Sequence, residues 1–272
     1  MCGTCGCGSE NNGPTILKPG EENHHHHKHH HDHDHDHHHH SHEDHEHPHT
    51  HHHHDHAHKI VEVEQDVLQN NKVLAARNRG YFEAKNIFAL NLVSSPGSGK
   101  TSILEKTLAD LKDEISFYVI EGDQQTLNDA NRIDALKVPV VQINTGKGCH
   151  LESDTVYDAV KKLEMKENSV LMIENVGNLV CPSMFDLGEN KRVVILSTTE
   201  GEDKPIKYPD MFHTADICII NKIDLLPYVN INLETLKNYA LQVNPHLQFF
   251  EMSATKGEGM EAWYNWLKSN LQ

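Results

Sequence analysis

Of the 26 histidines in this 272-residue chain, 23 lie between His24 and His58, and that crowding divides the chain in two. A stretch that alternates imidazoles with Asp32, Asp34, Asp36, Glu43, Asp44, Glu46 and Asp55 has almost no apolar surface to bury. It cannot meet the entropic cost of ordering a backbone. Residues 1–58 are therefore expected to be a disordered, metal-binding tail carrying ten acids and two bases, which leaves 22 bases and 30 acids for about one domain's length of ordinary sequence. The overall net charge of −16 argues against a nucleic-acid partner, which needs a basic face. No apolar run approaches the roughly 18 residues of a membrane span. No basic segment followed by an apolar one opens the chain, so no secretory signal is expected. Six cysteines in such a context read as thiols or metal ligands, and the expected compartment is the cytoplasm.

From Lys59 to about Phe82, apolar residues at near-helical spacing, including Val63, Val67 and Leu74, predict an amphipathic helix over 59–84, with a stop near Gly80. Beyond residue 85, short apolar runs alternate with helical patterns. The strand candidates are Ile87–Val93, Ile115–Ile120, Val138–Ile143, Val170–Ile173, Val193–Leu196, Ile217–Ile220 and Leu247–Phe250. The helix candidates are Thr101–Lys112, Asp154–Met165, Leu233–Val243 and Gly259–Leu271. Runs this apolar belong to strands buried on both faces, and regular alternation with helices predicts an α/β domain over 85–272 with a mostly parallel, doubly wound sheet. Ligands of such sheets bind beyond the carboxyl ends of the strands.

Five motifs follow strand candidates. Ser94-Ser-Pro-Gly-Ser-Gly-Lys-Thr101 matches the phosphate-binding loop of P-loop NTPases, with Ser94 in place of the first glycine. Gly97 and Gly99 let backbone N–H groups turn toward a phosphate, Lys100 reaches the β- and γ-phosphates, and the Thr101 hydroxyl meets Mg²⁺. Asn221-Lys-Ile-Asp224 is similar to the guanine-recognition box of GTPases, in which a carboxylate accepts from the base N1–H and 2-amino group. Adenine offers neither donor, which would leave Asp224 unpaired. Ser253-Ala254 resembles the supporting guanine loop. Glu174-Asn-Val-Gly177 stands where GTPases place D-x-x-G, with Glu174 toward Mg²⁺ and the Gly177 N–H toward the γ-phosphate. Of the Glu121-Gly-Asp123 carboxylates, Asp123 is favoured beside the metal or the attacking water. The expected nucleotide set is thus Gly97, Ser98, Gly99, Lys100, Thr101, Ser102, Gly177, Asn221, Lys222, Asp224, Ser253 and Ala254, with Lys100, Asp123 and Glu174 catalytic and Thr101, Asp123 and Glu174 on Mg²⁺. Asn178 follows Gly177 where fast GTPases keep a water-orienting Gln, and no catalytic arginine stands out. Slow hydrolysis is expected.

Soft and imidazole ligands form three groups. Cys2, Cys5 and Cys7 make a compact thiolate site suited to soft or borderline ions. The histidine tract reads as a store or local buffer for Ni²⁺ or Zn²⁺. Cys149 and His150, with Cys181 about thirty residues on, offer three ligands per chain. Tetrahedral Zn²⁺ or square-planar Ni²⁺ takes four, so water or a second copy completes the sphere. Cys181 lies four residues after Gly177, which predicts that nucleotide state and metal geometry are coupled. Cys218 reads as core.

Together these motifs resemble the HypB family, GTPases that deliver nickel to [NiFe]-hydrogenase during maturation. The likeness runs through the Cys-x-x-Cys-x-Cys start, the histidine-rich insert, Pro96–Thr101, Glu121–Thr126, Asn144–His150, Glu174–Pro182, Thr199–Pro205 and Asn221–Asp224. The resemblance implies GTP/GDP, Mg²⁺, Ni²⁺ and Zn²⁺ as cofactors and a GTP-promoted homodimer. It implies nickel at Cys2, Cys5 and Cys7, and zinc or nickel at Cys149, His150 and Cys181. It also implies a HypA-type metallochaperone and the hydrogenase large-subunit precursor as partners. The alternatives are a urease-type nickel GTPase, a passive nickel or zinc store, and a nickel sensor without catalysis.

Overall fold

All seven apolar runs become strands, extended by one to three residues toward the ends that carry the motifs. The computed structural model describes residues 14–21, 55–124 and 128–271, residues 55–64 by backbone alone. The strands are β1 (Thr15–Leu17), β2 (Ile87–Ser94), β3 (Phe117–Asp123), β4 (Val140–Asn144), β5 (Ser169–Glu174), β6 (Lys191–Ser197), β7 (Ile217–Asn221) and β8 (Gln248–Glu251). They form one sheet in the order β1-β4-β3-β5-β2-β6-β7-β8, parallel except for β1, which pairs antiparallel with β4. The helices are α1 (Asp55–Ala84), α2 (Lys100–Leu111), α3 (Asn128–Asp134), α4 (Ser153–Leu163), α5 (Cys181–Met184), α6 (Lys204–Lys207), α7 (Pro209–Thr214), α8 (Leu233–Val243) and α9 (Met260–Ser269), with a 3₁₀ turn at Ile223–Tyr228.

The period of two explains why the strands read as unbroken apolar runs. Along β5, Val170 and Met172 enter a core shared with Leu104 and Leu108 of α2 and Trp263 and Leu267 of α9. Leu171 and Ile173 enter the opposite core, with Phe82 of α1 and Val156 and Val160 of α4. Both faces are covered, so neither alternates with polar residues. A third cluster joins Val194, Leu196 and Ile220 to Phe212 of α7 and Leu236 of α8.

Two local readings are corrected. The tail expected to be disordered over residues 1–58 includes strand β1, held at the sheet edge by three register pairs with β4 and by Lys162 Nζ, which donates to the Ile16 carbonyl at 3.0 Å. Gly80 does not stop α1. Glycine inside a helix costs roughly 0.5–1 kcal/mol, but the next turn buries Phe82 almost completely, and that packing carries the helix on to Ala84. The chain turns instead at Asn86, whose φ is 50°, a residue type that tolerates the left-handed region.

The order of the strands sets the site. From β2 the chain crosses to β3 and β4 on one side, returns through β5, and then builds β6, β7 and β8 on the other. The direction reverses around β2, so a crevice opens at its carboxyl end, where the residues after Ser94, Asp123, Glu174 and Asn221 converge.

Candidate functional site

The turn between β2 and α2 is built on Gly97 (φ 77°) and Gly99 (φ 98°). A Cβ on Gly99 would fall on Nδ2 of Asn221. Asn221 itself donates from Nδ2 to the Ser98 carbonyl (2.9 Å) and accepts at Oδ1 from the Ala254 N–H (3.2 Å). Lys222 Nζ donates to the Gly97 carbonyl at 2.7 Å. The Asn-Lys pair thus braces the phosphate loop from β7 while Asp224 follows in the 3₁₀ turn. Lys100 is buried and donates to Ser94 Oγ at 3.0 Å. The departure from the usual first glycine therefore supplies a hydroxyl that holds the lysine in its loop.

The carboxylates lie opposite this loop. Glu121 and Glu174 are register partners on β3 and β5 and are only 2% and 3% exposed. Glu174 Oε1 accepts from Thr101 Oγ1 at 2.7 Å and lies 4.0 Å from Lys100 Nζ. Oε2 of each glutamate is buried without a hydrogen-bond partner. Burial, and then the charge of Glu174, push Glu121 well above the usual carboxylate range. Burial also raises Glu174, opposed by the Lys100 ammonium and the Thr101 hydrogen bond. Two desolvated carboxyls with an orphaned oxygen each suit a divalent cation. Asp123, half-buried, accepts at Oδ1 from the Gln124 N–H. A cavity of about 440 Å³ runs from Gly97 and Lys100 past these carboxylates to Asp129 and Arg132 of α3.

The second cluster begins one strand away. Thr145 N donates to the Asp123 carbonyl at 2.8 Å and leads the chain to Cys149 and His150. Cys149 Sγ lies 2.8 Å from Cys181 Sγ and 3.6 Å from His150 Nδ1, and the three ligand atoms fall within 4.8 Å of one another. Two sulfurs and an imidazole at that spacing are a donor set that suits one soft or borderline divalent ion. Phe185 stacks on His150 with ring centroids 3.8 Å apart. The imidazole of His150, whose Nε2 approaches Glu152 Oε1 to 3.5 Å, holds the Glu152 carboxyl below its ordinary range.

One buried polar chain spans both clusters. Asn175, directly after Glu174, accepts at Oδ1 from the Leu151 N–H (3.3 Å) and donates from Nδ2 to Asn91 Oδ1 (3.2 Å). Asn91 donates to Glu189, which also receives Arg192 Nε. Arg192 in turn donates to the Ser183 and Phe185 carbonyls. Gly177 packs on the phosphate loop, where a Cβ would stand 3.2 Å from Pro96 Cγ. Asn178 Nδ2 donates to the Cys149 carbonyl at 3.4 Å.

Residues 88–251 match the family model described as CobW/HypB/UreG, nucleotide-binding domain. The chain is 55% identical over 211 residues to the hydrogenase maturation factor HypB of Escherichia coli K12, covering 78% of this chain and 73% of that protein. It is 58% identical over 210 residues to HypB of Rhizobium leguminosarum bv. viciae, covering 77% and 70%. The crystal structure of HypB from Archaeoglobus fulgidus superposes with a TM-score of 0.71 at 38% identity, covering 75% of this chain and all of that one. HypB from Helicobacter pylori in complex with nickel superposes at 0.70 and 39%, covering 74% and 95%. The chain belongs to the HypB family.

Within this HypB-family chain the expected nucleotide residues Gly97–Ser102, Gly177, Asn221, Lys222, Asp224, Ser253 and Ala254 all fall at the carboxyl end of the sheet, and Cys149, His150 and Cys181 meet as expected. Cys2, Cys5, Cys7 and residues 24–54 lie outside the described residues. Cys218 is fully buried in the core, where desolvation pushes its thiol far up. Among the described residues no helix is long and apolar enough to cross a membrane. Sequence reasoning passed over Glu121 in favour of Asp123. Both lie on one face of β3 by the period of two, but only the strand order reveals that Glu121 stands beside Glu174. Arg132 was also missed; it bonds Glu105 and Asp129 at the cavity's rim.

The buried pair makes a pH prediction. A carboxyl whose pKa is raised on folding contributes stability while protonated, below the ordinary carboxylate range. That contribution is lost as pH rises through the folded pKa. Without nucleotide or Mg²⁺, Glu121→Gln should therefore lose less thermal stability than the parent between pH 5 and 8. Parallel melting curves across that range would show that Glu121 is not held protonated by its surroundings.

Proposed function

We propose that this chain is a GTP-hydrolysing nickel chaperone that loads the [NiFe]-hydrogenase large-subunit precursor. The observation that carries this reading is the single segment Glu174–Cys181, which faces the phosphate loop at Gly177 and supplies a thiol to the metal cradle at Cys181. The nickel complex of the Helicobacter pylori relative and the hydrogenase maturation role named for the curated relatives support it.

In this reading Asp224 selects guanine, Lys100 and the loop N–H groups hold the β- and γ-phosphates, and Thr101 and Glu174, with Asp123 or Glu121, hold Mg²⁺. Bound there, Mg²⁺ would supply positive charge against the phosphates as the γ-phosphoryl group departs. Catalysis is then positioning and charge stabilisation by Lys100 and the loop backbone. Asn178 cannot serve as a water-orienting Gln, and Arg132 is already engaged by two carboxylates, so turnover is slow. GTP draws the Gly177 N–H toward its γ-phosphate. Hydrolysis releases that segment, and the movement reaches Cys181 along the chain and Leu151 through Asn175. Nickel, the cargo, is held by Cys149, His150 and Cys181, where Zn²⁺ also fits. Three ligands per chain leave the fourth to water or a second copy. Val180 and Met184, 45% and 49% exposed beside Cys181, suit a two-fold contact there. Cys2, Cys5 and Cys7 form a second nickel site, the histidine tract is a reserve, and a HypA-type protein receives the ion in the cytoplasm.

The test is base selectivity in the full chain. GTP should be hydrolysed in preference to ATP, and Asp224→Asn should cut that preference by roughly 10²-fold or more, the scale set by leaving a buried recognition group unpaired. An ATPase rate equal to the GTPase rate in the parent chain would remove the GTPase reading.

A further inference from the structure

We infer that α1 sets the spacing of the two loops that carry the metal ligands, and that Asn71 and Asn78 are the positioning residues. This rests on the reading that Cys149, His150 and Cys181 take Ni²⁺ or Zn²⁺. Helix α1 ends at Ala84, before the matched nucleotide-binding domain begins at residue 88, yet it is bonded to both loops.

Asn71 and Asn78 are seven residues apart, two turns along one helix face. Both are buried, with the fully buried Ala75 between them. Asn71 accepts at Oδ1 from the Ser153 N–H (2.9 Å) and donates from Nδ2 to the Asp186 carbonyl (2.7 Å). Asn78 donates from Nδ2 to the Ser153 carbonyl (2.7 Å) and to the Leu187 carbonyl (3.0 Å). Ser153 Oγ closes the pattern by donating to the Asp186 carbonyl at 2.6 Å. Ser153 is three residues beyond His150, and Asp186 is one residue beyond Phe185, the ring stacked on His150. Each asparagine therefore bonds one backbone group from each ligand loop.

The helix also comes close enough to demand glycine opposite it. Gly188 has a φ of 88°, and a Cβ there would stand 2.7 Å from the Ala75 carbonyl and 2.9 Å from the Arg79 nitrogen. Arg79 adds a paired contact to the Asp186 carboxylate at 2.9 Å. The Cys181 loop has a second support from the sheet side, where Arg192 holds the Ser183 and Phe185 carbonyls. On the His150 loop, Ser153 has both its N–H and its carbonyl bonded to α1. Without the asparagines, the Ser153 N–H and the Leu187 carbonyl lose these bonds, and α1 no longer ties the His150 loop to the Cys181 loop, which keeps its Arg192 support and the Ser153 Oγ contact. Ligand spacing, and hence affinity and coordination geometry, should suffer while the phosphate loop is untouched.

The test uses the full chain with Cys2→Ser, Cys5→Ser and Cys7→Ser, so that thiolate-to-nickel charge-transfer absorption reports on Cys149 and Cys181. The imidazoles of the tract give no such band, and Cys218 is sealed in the core. Free Ni²⁺ is set by a nitrilotriacetate buffer. Asn71→Ala and Asn78→Ala should each raise the free Ni²⁺ needed for half-saturation by roughly 10- to 100-fold, the range for loss of a group that orients a ligand. Each should also shift the band, with GDP affinity within about twofold of the parent. Gly188→Ala, which strains the same contact from the opposite side, should act in the same direction if Asn78→Ala fails to fold. Unchanged half-saturation and band in a cooperatively melting variant would overturn the inference, and so would a loss of GDP affinity equal to the loss of Ni²⁺ affinity. Cys149→Ala in the same background should abolish the band. If it does not, the metal reading fails and the clamp fails with it, whereas a band lost in Cys149→Ala but intact in Asn71→Ala overturns the clamp alone.

Discussion

Lys100→Ala lowers GTP turnover by roughly 10²- to 10³-fold, the cost of deleting one preorganised charge that meets the developing negative charge of the transferred phosphoryl group. The structure makes this loss larger than that of a surface cation. Lys100 is buried, its Nζ fixed at 3.0 Å from Ser94 Oγ and 4.0 Å from Glu174 Oε1. Its ammonium pulls down the pKa values of both buried carboxyls, against the burial that raises them. Removing it would let Glu121 and Glu174 take up protons, and a protonated pair would hold the proposed Mg²⁺ less well. Lys100→Arg should not rescue turnover, because a planar guanidinium cannot occupy a point-charge site this enclosed. Steady-state phosphate release by a folded variant measures the effect. Turnover within about tenfold of the parent would mean that Lys100 does not face the phosphates.

The second large effect is on the cradle. Cys181→Ala leaves Cys149 and His150 as a two-ligand site on one loop. Its Ni²⁺ affinity should fall by more than roughly 100-fold, beyond the cost of losing an orienting neighbour. Chelator-buffered titration of the charge-transfer band in the Cys2/Cys5/Cys7→Ser background reads this directly. The loss should be severe because the proposed site takes Cys181 from the segment that follows Gly177, and Cys149 Sγ lies 2.8 Å from its thiol. Undiminished thiolate absorption in Cys181→Ala would place the ion elsewhere.

Much of this could be read from the sequence, and the limits have physical causes. Parallel strands buried on both faces are conspicuous as apolar runs, so all seven were found, and the phosphate loop follows because its glycines and lysine are adjacent in sequence. The short helices α3, α5, α6 and α7 contain too few turns to show a periodicity. Strand β1 is three residues in a polar stretch, and its pairing depends on an exposed edge of β4 that only the folded sheet creates. Glu121 could not be ranked above Asp123 without knowing that β3 lies beside β5. Asn71 and Asn78 read as ordinary polar positions on a helix; their partners are backbone groups 75 or more residues away. The trio of Cys149, His150 and Cys181 was legible by ligand type, but its convergence depends on β4 and β5 ending on the same side of the sheet.

The central claim is that γ-phosphate and metal act on one stretch of backbone, from Glu174 to Cys181. The most direct measurement is the Ni²⁺ affinity of the Cys149/His150/Cys181 site with Mg²⁺ and either GDP or a non-hydrolysable GTP analogue. A shared segment requires the two affinities to differ by at least about fivefold, the lower end of ordinary coupling between sites. Affinities equal within error in the two nucleotide states would contradict it.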